Sequence, residues 1–191
     1  LYEPDCGSII VNGINIKEID SEVWRKTCGA VLQDGYIFSG TIKKNIISSE
    51  SYDEKKFQHA VSLAKVDHFA NLFSSKYDTK IGDNGINLSQ GQKQRILLAR
   101  TIYKNPNLII LDEATSSLDA NNEKNILENL QVLLKEKTVF IVAHRLSTIT
   151  NADLILVLEQ GRIIEHGTHS VLVDKRGYYY KLIRSQLDLG V

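Results

Sequence analysis

Two short apolar runs, Leu108–Leu111 and Thr138–Val142, bracket a single stretch of helical pattern over Asn121–Lys135. A continuous apolar run of this length predicts a strand covered on both faces, as in a parallel sheet, rather than an alternating, half-solvated strand. Strand, helix, strand in that order implies a right-handed βαβ crossover. The fold class expected is therefore α/β, a mainly parallel sheet flanked by helices. Ligands of such sheets sit beyond the carboxyl ends of the strands. The residues just after Leu111 and just after Val142 are where chemistry is expected.

The remaining elements follow from local pattern. Ser8–Val11 reads as a strand ending at Asn12-Gly13, a two-residue turn signal. Ser21–Lys26 reads as a short helix capped by its Ser, and Gly29–Leu32 as another buried strand. Over Asp53–Val66, Phe57, Ala60, Val61 and Ala64 recur at i, i+3, i+4 and i+7, one face of an amphipathic helix. A helix opens at Ser89 and runs to Tyr103, where Asn105-Pro106 stops it. Leu154–Leu158 and Ile163–Glu165 pair across a turn at Gly161-Arg162, and Ser170–Asp174 and Tyr178–Gln186 are helical. Residues 1–40 and 86–191 are expected to form the α/β core, with 41–85, poor in strand signals, inserted as a helical subdomain.

Composition narrows the function. With 191 residues the chain suffices for one well-buried domain. Lys plus Arg and Asp plus Glu are both 23, so the net charge is zero and gives no footprint for nucleic acid. No apolar run approaches the ~20 residues needed to span a bilayer. Cys6 and Cys28 belong to no CxxC pair and read as reduced thiols. His166 and His169 have metal-ligand spacing, but no carboxylate or Cys set accompanies them.

Asp112-Glu113 follows the first apolar strand. Two carboxylates at the end of a buried strand are costly unless their charge is offset. Mg²⁺ with a phosphate ligand does this, since Mg²⁺ takes one or two carboxylates plus phosphate oxygens and waters. A strand-end Asp capping the next helix is the alternative reading of the same residues. Leu88-Ser89-Gln90-Gly91-Gln92 opens the helix that leads into that strand. A helix start preceded by Ser and Gly offers free N–H groups and a positive dipole to an anion, and Gly91 allows close approach.

Leu88–Gln92, continued by Lys93-Gln94-Arg95, resembles the signature motif of ABC-type ATPases, with Gln90 where the family usually has Gly. Other segments resemble the family in the same order. Gln33 matches the glutamine-loop residue, and Asp78–Gly85 is similar to the segment ABC exporters carry before the signature, with Asp83 in place of the usual Glu. Leu108–Glu113 resembles the Walker B strand, Ser116-Ser117-Leu118-Asp119 the D-loop, and His144 the switch histidine. The resemblance runs from about Gly7 to Gln186. It implies a P-loop NTPase-like fold and an exporter ATPase on the cytoplasmic face of a membrane. It implies ATP and Mg²⁺ as cofactors, with Asp112 and Gln33 at the metal, and Glu113, Gln33 and His144 as catalytic groups. Ser89, Gln90, Gly91, Gln92 and Asp119 would contact nucleotide across a dimer, and Asp78–Gly85 would touch coupling helices. The partners implied are a second ATPase domain and the transporter's transmembrane domain. No segment matches the Gly-x-x-x-x-Gly-Lys-Ser/Thr phosphate loop that precedes Pro4–Gly7 in the family. These 191 residues alone are therefore expected to bind Mg-ATP poorly, to hydrolyse it negligibly, and to leave apolar surface uncovered. A soluble ABC-type ATPase and a non-catalytic remnant working as an interaction module are the competing readings.

Overall fold

The computed structural model describes residues 3–48, 50–83, 85–113, 134, 136–142 and 149–188. Asp119, His144, Ser116–Leu118 and nearly all of the helix expected over Asn121–Lys135 lie outside the described residues. The chain divides into two compact units, Leu1–Phe140 and Ile141–Val191.

In the first unit β1 (Ile10–Val11) and β2 (Ile14–Asn15) form an antiparallel hairpin. Asn12 and Gly13 join them with φ of 50° and 82°, the two left-handed residues a twist-matched hairpin turn requires. The strand expected before the turn is present, and its partner β2 follows the turn. Helix α1 (Ser21–Thr27) is capped by Asp20 rather than by the expected Ser21. Asp20 lies one residue outside the helix, at φ −55° and ψ 133°, and its carboxylate accepts from the N–H groups of Glu22 and Val23 at 2.8 and 3.1 Å. Those contacts hold its carboxyl below the usual carboxylate range.

Strand β3 (Cys28–Val31) enters a three-stranded sheet of order β3-β6-β7, formed with β6 (Leu108–Asp112) and β7 (Thr138–Val142). β3 and β6 are parallel, as the apolar runs predict, with Val31 opposite Leu111. Between them β4 (Gly40–Thr41) pairs with β5 (Lys80–Ile81), so the section expected to be helical also carries a short antiparallel ribbon. Its helices are α2 (Ile42–Ile47), α3 (Glu54–Leu63) and α4 (Asp67–Ala70). The α3 face is the one read from spacing: Phe57, Ala60, Val61 and Ala64 are all no more than 1% exposed. α3 ends at Leu63, short of Val66, because Lys65 turns left-handed at φ 53°.

Helix α5 (Gln90–Lys104) organises this unit. Ile96, Leu97, Leu98, Ala99 and Ile102 are buried in one cluster with Ile42 and Ile46 of α2, Phe57 and Val61 of α3, and Val31, Ile109 and Leu111 of the sheet. Asn105 in the left-handed conformation ends α5 just before Pro106, as the sequence signals. Lys104 Nζ donates to the carbonyl of Cys28 at 2.7 Å and to that of Arg25, fastening the end of α5 to the α1–β3 junction. Ile10 and Ile14 of the hairpin are 55% and 51% exposed.

The second unit holds β8 (Ile155–Glu159) and β9 (Arg162–Gly167), an antiparallel hairpin turning at Gln160-Gly161, one residue earlier than the turn residues suggest. Helices α6 (His169–Lys175) and α7 (Tyr178–Asp188) follow. Ile155, Val157, Leu172, Tyr179 and Ile183 form its core. The buried Glu165 carboxylate accepts from the N–H groups of Tyr178 and Tyr179 at 3.0 and 2.9 Å, capping the start of α7. Tyr179 packs inside and its hydroxyl meets His169 Nδ1 at 2.9 Å, so this tyrosine is a packing residue. Among the described residues no helix is long and apolar enough to cross a membrane.

Candidate functional site

The carboxyl ends of β3 and β6 lie side by side. Gln33 stands two residues beyond Val31, and Glu113 two beyond Leu111, the last pair of the register, so both follow directly on adjacent parallel strand ends. Gln33 is exposed, Asp112 and Glu113 half-buried. Glu113 has φ of 48°, a left-handed conformation that costs a non-glycine residue about 1–2 kcal/mol. The chain turns sharply at the point where the sequence places its candidate acid pair.

The start of α5 faces the same strand ends. Ser89 caps it with a complete capping box: the Gln92 N–H donates to Ser89 Oγ at 3.2 Å, and the Ser89 N–H donates to Gln92 Oε1 at 2.9 Å. The box settles the N–H groups of Ser89 and Gln92. Those of Gln90 and Gly91, between them, keep the positive end of the dipole at the turn. Gln92, expected to contact nucleotide, thus spends its side chain on the cap. Gln90, likewise expected at the nucleotide, donates from Nε2 to the carbonyl of Gln33 at 3.2 Å. Gln94, fully buried, donates from Nε2 to the carbonyl of Glu113 at 3.1 Å.

The segment after Gln33 is held by a polar hub that sequence reading did not single out. Asn45, 1% exposed, accepts from the Phe38 N–H at 2.8 Å and donates to the carbonyls of Phe38 and Thr41 at 2.9 and 3.1 Å. Arg100 of α5 donates to Asn45 Oδ1, to the Asn45 carbonyl and to the Tyr36 carbonyl at 3.0, 2.7 and 3.1 Å, and lies over the Phe38 ring. Burial pulls the Arg100 pKa below the ordinary arginine value. The only sequence signal for this hub was polarity: Asn45 and Arg100 interrupt otherwise apolar helix faces.

Asp78–Gly85 packs tightly beside that segment. A Cβ on Gly85 would sit 2.4 Å from the Lys80 carbonyl oxygen, so no side chain fits there. A Cβ on Gly82, at φ 91°, would lie 2.9 Å from the Ser39 Cα.

Asp112, Glu113 and Gln33 form a set of hard oxygen donors at adjacent strand ends, beside a capped helix start that favours anions. Among the described residues no group of three or more His, Cys, Asp or Glu could hold a metal by itself. That donor set fits Mg²⁺ shared with phosphate oxygens and water rather than an all-protein cage. His144 and Asp119 lie outside the described residues.

Comparison with known proteins gives the same picture. The family described as ABC transporter matches residues 1–116. The chain is 42% identical over 186 residues to the "Beta-(1-->2)glucan export ATP-binding/permease protein NdvA" of Bartonella bacilliformis, covering 97% of this chain and 31% of that protein. It is 41% identical over 188 residues to "ABC transporter B family member 1" of Dictyostelium discoideum, covering 97% of this chain and 21% of that one. The chain thus spans under a third of the length of either relative. A solved structure described as a "bacterial Atm1-family ABC exporter with ATP bound" superposes with a TM-score of 0.92 at 36% identity, over 97% of this chain and 33% of that one.

Proposed function

This chain belongs to the ABC transporter family, and from that premise we propose that it is the ATP-binding and ATP-hydrolysing part of an exporter, working at the cytoplasmic face of a membrane. The observation that carries the reading is that Gln33 and the Asp112-Glu113 pair follow two paired parallel strands and that both segments are contacted by the start of α5, through Gln90 and Gln94. Asp112, through a water, and Gln33, through its amide oxygen, would hold Mg²⁺, which when bound would supply charge neutralisation for the phosphates. Glu113 accepts hydrogen bonding from the attacking water and polarises it. His144 hydrogen-bonds the γ-phosphate. Ser89, Gln90, Gly91 and Gln92 bring N–H groups and the α5 dipole to the phosphates of a nucleotide held by a second such domain, with Asp119 at the same interface. The partners are that second ATPase domain and a membrane-spanning domain, the latter in keeping with the ATP-binding/permease relative. Neutral net charge gives no support to a nucleic-acid partner.

The 191 residues contain no Gly-rich phosphate loop, so we propose that, taken alone, they bind Mg-ATP weakly and turn it over negligibly. The test is calorimetric titration of Mg-ATP and phosphate release, on this chain and on the longest natural reading frame containing it, each with Glu113→Gln. The expected result is weak binding by the short chain, and tight binding and turnover by the long one. Glu113→Gln should leave binding intact and reduce turnover about a hundredfold or more, the scale of losing a general base. Tight binding by the short chain, or full turnover with Gln at 113, overturns the assignment.

A further inference from the structure

We propose that Gln90 and Gln94 are positioning residues: one face of α5 grips, by two side-chain amides, the backbone of both strand ends that carry the candidate catalytic groups. The spacing supports this. Gln90 and Gln94 are i and i+4 on α5, so they share a face about 5–6 Å apart. Gln33 and Glu113 are equal steps past Val31 and Leu111, which pair in register on adjacent strands, and such strands lie about 4.8 Å apart. The helix spacing is close to the strand spacing at the point where the two segments leave the sheet. Each amide reaches the carbonyl in front of it, Gln90 that of Gln33 at 3.2 Å and Gln94 that of Glu113 at 3.1 Å.

The two grips differ in strength. Gln94 is fully buried, so its amide is costly there unless bonded, and its contact with Glu113 has a structural reason to persist. The carbonyl of a residue turns with its ψ. Holding the Glu113 carbonyl therefore restrains ψ of a residue already in the left-handed region, and with it the direction in which its Cα–Cβ bond leaves the backbone. The Gln90 contact is exposed and weaker. It exists only because Gln stands at this position: Gly would have no amide to reach Gln33. Neither contact requires these two side chains to touch nucleotide.

The inference rests on the reading of Glu113 as general base, and the experiment separates the two. In the full reading frame, turnover and Mg-ATP affinity are measured for wild type, Gln94→Met, Gln94→Glu, Gln90→Met, Glu113→Gln, and Gln94→Met combined with Glu113→Gln. Met keeps the length of Gln and loses both donor and acceptor. Glu keeps the shape and turns the donor into an acceptor. Thermal unfolding is followed for each. Gln94→Met is expected to lower kcat about tenfold to a hundredfold, the range a small misplacement of a reacting group produces, with KM changed less than about twofold. Combined with Glu113→Gln it should add no further loss, since a positioning residue has nothing left to position. Gln90→Met should lower kcat by a few-fold, and being exposed it tests the idea even where Gln94 variants fail to fold. Unchanged kcat in folded Gln94 and Gln90 variants, or losses that multiply with that of Glu113→Gln, overturns the positioning role while the ATPase reading stands. Wild type without turnover, or Glu113→Gln equal to wild type, overturns the ATPase reading and the positioning role with it.

Discussion

Replacing Asn45 by Ala removes four hydrogen bonds at once. They are those from the Phe38 N–H, to the Phe38 and Thr41 carbonyls, and from Arg100 Nη2. Asn45 is 1% exposed, so a shortened side chain leaves these partners facing a cavity rather than bulk water. At about 1 kcal/mol net per bond, with the bond to charged Arg100 toward the upper end, the expected loss is about 3–5 kcal/mol. Against the roughly 5–15 kcal/mol that holds a domain folded, that is a large share. Asn45→Asp discriminates further. It keeps the acceptor for Phe38 N–H and Arg100 and turns an oxygen toward the Phe38 and Thr41 carbonyls, so about half the loss is expected. Urea unfolding at fixed m gives both values, and hydrogen exchange at the Phe38 amide should accelerate in the Ala variant before global unfolding. A loss below about 1 kcal/mol for Ala, or an unchanged Phe38 exchange rate, would show that the hub does not hold the segment after Gln33.

Two further outcomes follow from single contacts. Gly85→Ala places a Cβ 2.4 Å from the Lys80 carbonyl, backbone that cannot give way cheaply. A loss of about 1–3 kcal/mol in thermal unfolding is expected, and a neutral result would mean that the turn relaxes. In the second unit the N–H groups of Tyr179 and Tyr178 hold the Glu165 carboxyl below its ordinary value. Stability from this cap is therefore present above the unfolded carboxylate pKa and lost as pH falls through the lower folded value. Wild type should exceed Glu165→Gln in stability at neutral pH by a margin that shrinks below about pH 4, as circular dichroism across an acid titration would record. A constant margin would refute the cap.

How much of this was legible in the sequence depends on whether a feature is written along the chain or across it. Full cover on both faces was not met: only Ile109 and Leu111 of β6 are buried, and Phe140 and Val142 of β7 are more than half exposed. The parallel pairing was still legible from apolar runs such as Leu108–Leu111. So was the buried face of α3, because helix period alone selects Phe57, Ala60, Val61 and Ala64. The α1 cap was misplaced by one residue because Asp20 and Ser21 are both good caps, and only the backbone angles decide between them. The ribbon of β4 and β5 was missed for a stronger reason. Two residues per strand carry no periodicity, and their pairing joins Thr41 to Lys80 across intervening helices.

The same division runs through the candidate site. Asp112, Glu113, Gln33 and Ser89 could be named from type and position, since strand ends and helix starts are where such chemistry collects. The side chains that hold them could not. Gln92 and Gln90 stand in a stretch read as phosphate-contacting, yet one completes a capping box and the other reaches a carbonyl 57 residues away in sequence. Gln94 and Asn45 look like polar residues on helix faces, and only tertiary contact shows that each donates to a backbone carbonyl of another segment. Each of the three glutamine amides already makes a contact within the chain: Gln92 Oε1 with the Ser89 N–H, Gln90 Nε2 with the Gln33 carbonyl and Gln94 Nε2 with the Glu113 carbonyl. On the proposed reading, phosphate contact at this helix start is a task for backbone N–H groups, and the amides set the geometry in which Gln33 and Glu113 act.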